Sequence, residues 1–266
     1  MAFGTAGMSS IYDDKIITLS NINLEYPGKS GMVTALQNID LDILRGEFVC
    51  LLGPTGCGKS SLLSIIAGIQ NPTDGTAVMG GKEIHGSDRN RIIMFQTPTI
   101  FHELSVYQNV TFGIRHRCVA ADEIPKEAEF YMKLTGVEEF RDNKPYELSE
   151  ITRYRAALAR LLAHKPEIII MDEPFFNLAP AERENMQNLI RDVWQRTGVT
   201  ILCVPKDVDE ALSLATRIIV MSANPGQIIK EYHTEFTYDI CGGNRKGVRR
   251  SNEYTEMREE LLDMIR

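Results

Sequence analysis

The stretch Gly53-Pro54-Thr55-Gly56-Cys57-Gly58-Lys59-Ser60, followed by Ser61, constrains this chain more tightly than any other. The preceding "GEFVCLLG" is nearly continuous in apolar residues, as a strand buried on both faces is, and "SLLSIIAGI" after it has helical spacing. Strand, glycine turn and helix in that order meet the pattern G-x-x-x-x-G-K-[ST] at every fixed position. The spacing has a physical reason. Glycines let successive backbone N–H groups curl around the α- and β-phosphates of a nucleoside triphosphate, and the helix N-terminus adds a favourable field. Lys59 then reaches the β- and γ-phosphates, and the Ser60 hydroxyl can ligate Mg²⁺. The bland alternative is a chance glycine turn, which the flanking strand and helix disfavour.

A second run, "IIIMDEP", carries Asp172 to the end of an apolar strand, where it can hold Mg²⁺ through water. Glu173 follows and can polarise an attacking water as general base. Standing alone, these carboxylates would as well cap a helix or face solvent; the upstream phosphate loop favours the catalytic reading. Gln96 closes the strand pattern "RIIMFQ" and could contact both Mg²⁺ and the attacking water. By itself Gln96 is an ordinary polar strand end.

The rest of the chain supplies a frame. Residues 1–15 are small and polar and are expected to form a frayed leader. "IITLSNINLEY" and "LQNIDLDI" alternate apolar and polar residues, which suits half-exposed antiparallel strands, and "NPTDGTAVMGGKEI" reads as turns and a short hairpin. From Thr97 to about Lys165 the pattern is mostly helical, with Pro125 and Pro145 as breaks. Strand patterns return in "EIIIMDEP", "VTILCVP" and "RIIVMSA", around the helical "AERENMQNLIRDVWQRTG". These features predict an α/β fold with a parallel core and a helical insertion near residues 97–160. An amphipathic helix is expected to close the tail, in "SNEYTEMREELLDMIR".

Composition excludes several functions. A net charge of −7 gives no chain-wide attraction to nucleic acid or anionic lipid. The five cysteines, Cys50, Cys57, Cys118, Cys203 and Cys241, are odd in number and widely spaced, and the five histidines show no ligand spacing. No apolar run approaches the roughly 20 residues that span a bilayer, and "MAFGTAGMSS" lacks a signal-peptide pattern.

In order and spacing, the phosphate loop, Gln96, "ELSEITRYRAALARLLAHKPEIIIMDEPF" and "DVDEAL" resemble an ATP-binding cassette (ABC) transporter ATPase subunit, from about Ile16 to Ala223. Within that family the chain is similar to the importer ATPases of the nitrate, sulfonate and taurine group, on "GEFVCLLGPTGCGKSSLL", "MDEPF", "DVDEAL", "MSANPGQI" and the tail. The resemblance implies a P-loop NTPase with a RecA-like core, an antiparallel β subdomain and an inserted helical subdomain, over residues 16–230, with a C-terminal extension at 231–266. It implies ATP and Mg²⁺ as cofactors, and Tyr26 falls where the family stacks an aromatic ring on adenine. An ordinary strand aromatic is the alternative for Tyr26. The implied partners are membrane-spanning permease subunits, a second ABC ATPase subunit and, indirectly, an extracytoplasmic solute-binding protein. The implied location is peripheral, on the cytoplasmic face of the inner membrane.

Three motifs depart from the family pattern. Its signature, Leu-Ser-Gly-Gly-Gln, corresponds here to Leu148, Ser149, Glu150, Ile151 and Thr152. In the family this helix N-terminus reaches across the dimer to the other subunit's γ-phosphate, so Glu150 adds a like charge and Ile151 adds bulk. Ser149 remains able to cap the helix. The family's switch histidine corresponds to Lys206, and its Ala-Leu-Asp turn to Asn177, Leu178 and Ala179. The expectation is an ATP site on this chain and a helix end unfit to complete a neighbour's site, hence pairing with a different, more complete ATPase in a heterodimer. One alternative is a regulatory or structural ATP-binding module with little turnover. Another is a soluble, non-transport ABC protein acting on nucleic acid or another assembly, supported only by Arg245, Lys246, Arg249 and Arg250, whose bland reading is a solvated loop.

Overall fold

The computed structural model describes residues 15–28, 31–97 and 99–265. The expected leader lies outside these residues except for Lys15. Two long strands, β1 (Lys15–Gly28) and β2 (Gly31–Leu44), pair antiparallel, and the expected burial alternation holds in stretches such as Ile39–Leu44, interrupted elsewhere by register shifts and exposed ends. The next strand, β3 (Phe48–Leu52), is buried at every position. Its apolar run is explained by its two faces. Phe48, Cys50 and Leu52 enter one core, whereas Val49 and Leu51 enter another. A period of two with both sets apolar is what a strand covered on both sides requires.

Helix α1 (Lys59–Ile66) follows the glycine loop, and the hairpin of β4 (Asp74–Met79) and β5 (Lys82–Glu83) then joins β1. β6 (Arg91–Met94) leads into α2 (Val106–Arg115), α3 (Ile124–Thr135) and α4 (Glu150–Leu162), which pack on one another. Ser105 and Gln108 form a reciprocal cap at the start of α2, and Gly136 ends α3 at φ 67°. Both prolines expected as breaks open helical turns: Pro125 lies in the first turn of α3, and Pro145 begins a short 3₁₀ turn.

β7 (Ile168–Asp172), α5 (Pro180–Thr197), β8 (Thr200–Val204), α6 (Val208–Leu214) and β9 (Arg217–Met221) complete the alternating pattern. β10 (Ile228–His233) is antiparallel to β9, and the expected boundary at 230/231 falls inside it. Among the described residues the larger sheet runs β10-β9-β3-β8-β7-β6, and the smaller runs β2-β1-β4-β5. From β9 to β6 the pairing is parallel throughout. One core lies between the two sheets with α1; the other carries α2 to α6 and the C-terminal helices. Those last helices are α7 (Phe236–Cys241), α8 (Arg245–Val248) and α9 (Asn252–Met264).

The tail is tied down. On α9, Arg258 grips Asp209 of α6 through Nε (2.8 Å) and Nη2 (3.0 Å), and the Tyr254 hydroxyl donates to the same carboxylate at 3.1 Å. The basic cluster is not a loop as expected: Arg245 opens α8 and pairs with Glu184 of α5.

Candidate functional site

Strand register brings the predicted residues to one edge. Cys50 of β3 pairs with Cys203 of β8, Cys203 with Met171 of β7, and Met171 with Met94 of β6. Gly53, Lys206, Glu173 and Gln96 therefore lie two or three residues beyond a common row. They occupy the carboxyl ends of four neighbouring parallel strands, the usual place for a ligand crevice in such a sheet. Gln96 stands two residues past β6 and not in it, because the strand ends at Met94.

The phosphate loop is shaped by glycines. Gly53, Gly56 and Gly58 adopt φ values of 156°, 82° and 91°. A Cβ on Gly58 would lie 2.6 Å from Leu36 Cδ2, and one on Gly53 would lie 2.6 Å from the Met221 carbonyl. Pro54 and Thr55 form the outer turn, while Cys57 is fully buried beneath it. Lys59 folds its ammonium back over the loop, donating to the carbonyls of Gly53 (2.7 Å) and Pro54 (2.9 Å). Helix α1 opens on Gly58 with no side-chain cap and no acidic residue in its first turn. Its leading N–H groups thus keep their capacity for an anion, which is how the loop fits a polyphosphate.

The carboxylates sit on the adjacent strand end. Asp172 is half-buried and pairs in register with Val204. Glu173 holds φ at 46°, a left-handed conformation uncommon for this residue, with its N–H donated to the Val204 carbonyl at 2.9 Å. Such a backbone is kept where surrounding structure over-determines it. Ser60 and Gln96 are exposed. Among the described residues no group of three or more His, Cys, Asp and Glu gathers around one point. A hydroxyl and one carboxylate, completed by phosphate oxygens and water, is a donor set that suits Mg²⁺.

Tyr26, in β1, is over one-third exposed, and its hydroxyl bonds Gln70 Oε1 (2.8 Å) and Ser61 Oγ (3.1 Å). These two contacts fix the phenol ring beside α1 next to the loop, leaving part of it open to a ligand.

The departing positions have their own geometry. Ser149 caps α4, its Oγ accepting from the Thr152 N–H at 3.2 Å. Glu150 is exposed in the first turn. Ile151 does not project as free bulk: it is half-buried and packs against the larger core. The Lys206 ammonium lies 5.4 Å from the Phe176 ring centre. Tyr154 of α4 is fully buried, donates its hydroxyl to the Gln96 carbonyl and also meets the Asn177 side chain. Burial first, and then the Glu150 charge, raise the Tyr154 phenol, with the Asn177 bond opposing.

Three supporting residues were not singled out from the sequence. Gly226 packs against the back of the phosphate loop, where a Cβ would meet the Cys57 carbonyl at 2.1 Å. Its N–H donates to the Ala35 carbonyl and its carbonyl accepts from Gln37, both at 3.0 Å. The only local hint was the turn sequence Asn224-Pro225-Gly226. Tyr154 joins α4 to Gln96, and Glu210 lies under the Lys206 segment; neither leaves a signal in its immediate neighbours.

Comparison with known proteins adds a second line. Residues 36–176 match the family model described as ABC transporter. The taurine import ATP-binding protein TauB of Jannaschia sp. (strain CCS1) is 39% identical over 250 residues, covering 94% of this chain and 93% of that protein. The nitrate import ATP-binding protein NrtD of Synechocystis sp. (strain ATCC 27184 / PCC 6803 / Kazusa) is 35% identical, covering 94% and 95%. Among solved structures, cbiO1 from Clostridium perfringens, part of the ABC transporter complex cbiONQ, superposes with a TM-score of 0.75 at 28% identity, covering 94% of this chain and all of that one.

Proposed function

This chain belongs to the ABC transporter family, and from that premise we propose that it is the ATP-binding subunit of an importer and the degenerate half of an asymmetric ATPase pair. The observation that carries the proposal is an unequal pair of helix ends. α1 opens on Gly58 with no acid in its first turn, as suits a phosphate site, whereas α4 opens with Glu150 where the family's signature has glycine. A second, different ATPase subunit would supply an intact signature to this chain's loop.

In this reading the loop from Gly53 to Ser61 cradles ATP, with Tyr26 against the adenine. Lys59 exchanges its loop carbonyls for the β- and γ-phosphates. Mg²⁺, held by Ser60, Asp172 and Gln96, would supply charge neutralisation at the γ-phosphate. Glu173 orients and polarises the water. Lys206 offers a cation to the γ-phosphate from the neighbouring strand end, without the acceptor that a histidine provides. The named relatives act in taurine and nitrate import, so an oxyanion-bearing solute is the substrate class, selected by permease subunits and an extracytoplasmic binding protein. No helix among the described residues is long and apolar enough to cross a membrane, which fits a peripheral subunit on the cytoplasmic face of the inner membrane.

The test is native mass spectrometry of the complex purified from its own membranes on this chain. The expected mass contains membrane subunits and a second, different ATPase. Two copies of this chain as the sole ATPases would favour the alternative, a regulatory or structural ATP-binding module with little turnover.

A further inference from the structure

Glu210 is buried to 3% exposure in the first turn of α6, four residues after Lys206. A carboxyl group in such a place costs free energy unless it is engaged. Its two oxygens are taken by two different elements. Oε2 accepts from Gln187 Nε2 of α5 at 3.1 Å, and Oε1 accepts from the Lys206 backbone N–H at 3.4 Å. The Glu210 N–H is itself capped by Asp207 Oδ1 at 2.8 Å. On the other side of the same segment, the Val204 carbonyl accepts from Glu173 N–H at 2.9 Å. The main chain from Val204 to Lys206 is thus held between the strained Glu173 and the buried Glu210.

We propose that Glu210 is the positioning residue for Lys206: its carboxylate ties the Lys206 backbone to α5 and so fixes where the Lys206 ammonium enters the γ-phosphate side of the site. This role rests on the reading that Lys206 serves the γ-phosphate. Glu210 touches no nucleotide; it acts through Lys206.

The groups facing the carboxyl are Arg183 and Gln187 from α5, Lys206 and Asp207 from the segment before α6, and Cys203 from β8. Asp209 is turned outward and held by Arg258 and Tyr254. Burial first, and then the Asp207 charge, push the Glu210 carboxyl up to about 7, with the Lys206 amide, Gln187 and Arg183 favouring the charged form. Its pKa lies above that of an unfolded glutamate, so its stabilisation of the fold is complete at acid pH and is lost as pH rises through about 7. The carboxylate that accepts both bonds predominates above the same pH. Positioning and stability therefore run in opposite directions across the neutral range.

The experiment measures ATP turnover against pH in the purified complex carrying Glu210→Gln, Lys206→Gln or both, with nucleotide affinity and thermal melting as controls. The expected result for Glu210→Gln is about a tenfold loss of turnover, nucleotide affinity within about twofold of the parent, and disappearance of the neutral pH limb. The double variant should be no worse than Lys206→Gln alone, because one residue acts through the other. Losses that simply multiply would leave Lys206 in its role and overturn that of Glu210. Unchanged turnover in Lys206→Gln would overturn the reading of Lys206 and this role with it. Should Glu210→Gln fail to fold, Gln187→Leu removes one donor without touching Glu210. Losing that donor should raise the carboxyl's pKa further and move the neutral limb to higher pH; an unmoved limb overturns the proposal.

Discussion

The family resemblance assigns the N-termini of both α1 and α4 to phosphate, yet their first turns are built differently. α1 starts on a left-handed Gly58, with no side chain capping its N–H groups and no acid in its first turn. α4 starts on Ser149, whose oxygen occupies one of those N–H groups, and places Glu150 beside the rest. A helix N-terminus carries a partial positive charge in both cases. What differs is the first turn itself: α1 carries no acid there, whereas α4 sets the Glu150 carboxylate against its own positive end. Ser149 is shared with the family's signature, so the difference that counts is the exposed Glu150 in the first turn of α4.

The sharpest way to break this comparison is behind the phosphate loop. Gly226→Ala places a Cβ where 2.1 Å separates it from the Cys57 carbonyl, so the loop must shift. Backbone cannot yield as a side-chain tip does, and overpacking of this kind costs about 1–3 kcal/mol. Nucleotide affinity should fall by about tenfold or more, measured with a fluorescent ATP analogue; parental affinity would mean the loop is not shaped from behind.

A smaller effect is expected at the other helix end. Glu150→Gln removes an acid that favours the α4 dipole, so stability should drop by under about 1 kcal/mol. On the proposed pairing, ATP turnover of the complex should nevertheless rise severalfold, because the like charge set toward a neighbour's γ-phosphate has gone. Thermal melting and phosphate release measured on the same preparation separate the two. Turnover that falls along with stability would show that Glu150 does not oppose a phosphate.

The smallest effect lies farthest from either helix. Arg258→Ala removes the ion pair between α9 and Asp209, both side chains about 40% exposed, and leaves the Tyr254 hydroxyl bond in place. Surface pairs of this kind contribute about 0.2–1 kcal/mol. Melting should shift slightly and nucleotide affinity not at all; a change in affinity would couple the tail to the site directly.

The contrast between α1 and α4 was legible in the sequence because each first turn is contiguous. Gly53 to Ser60, and Ser149 followed by Glu150, carry their chemistry in neighbouring residues. The two-faced burial of β3 was legible for the same reason. What was hidden depends on partners distant in the chain. Nothing beside Glu210 announces Gln187, nothing beside Tyr154 announces Gln96, and Gly226 meets Cys57 across more than half the chain. Ile151 adds bulk where the family has glycine, and its packing against the larger core depends on helical phase, which a local reading of the signature does not supply. β10 went unread because it is an edge strand whose Ile229, Lys230 and Glu231 are exposed, so its burial lacks a clean alternation.

The most direct test of the central claim, that this chain's own carboxylate edge completes a working ATP site, is the steady-state ATP turnover of the purified complex carrying Glu173→Gln. The account predicts loss of most of the turnover with nucleotide binding retained, since the general base is removed while the loop and Lys59 stay in place. Turnover equal to that of the parent complex would contradict it and leave this chain a nucleotide-binding module.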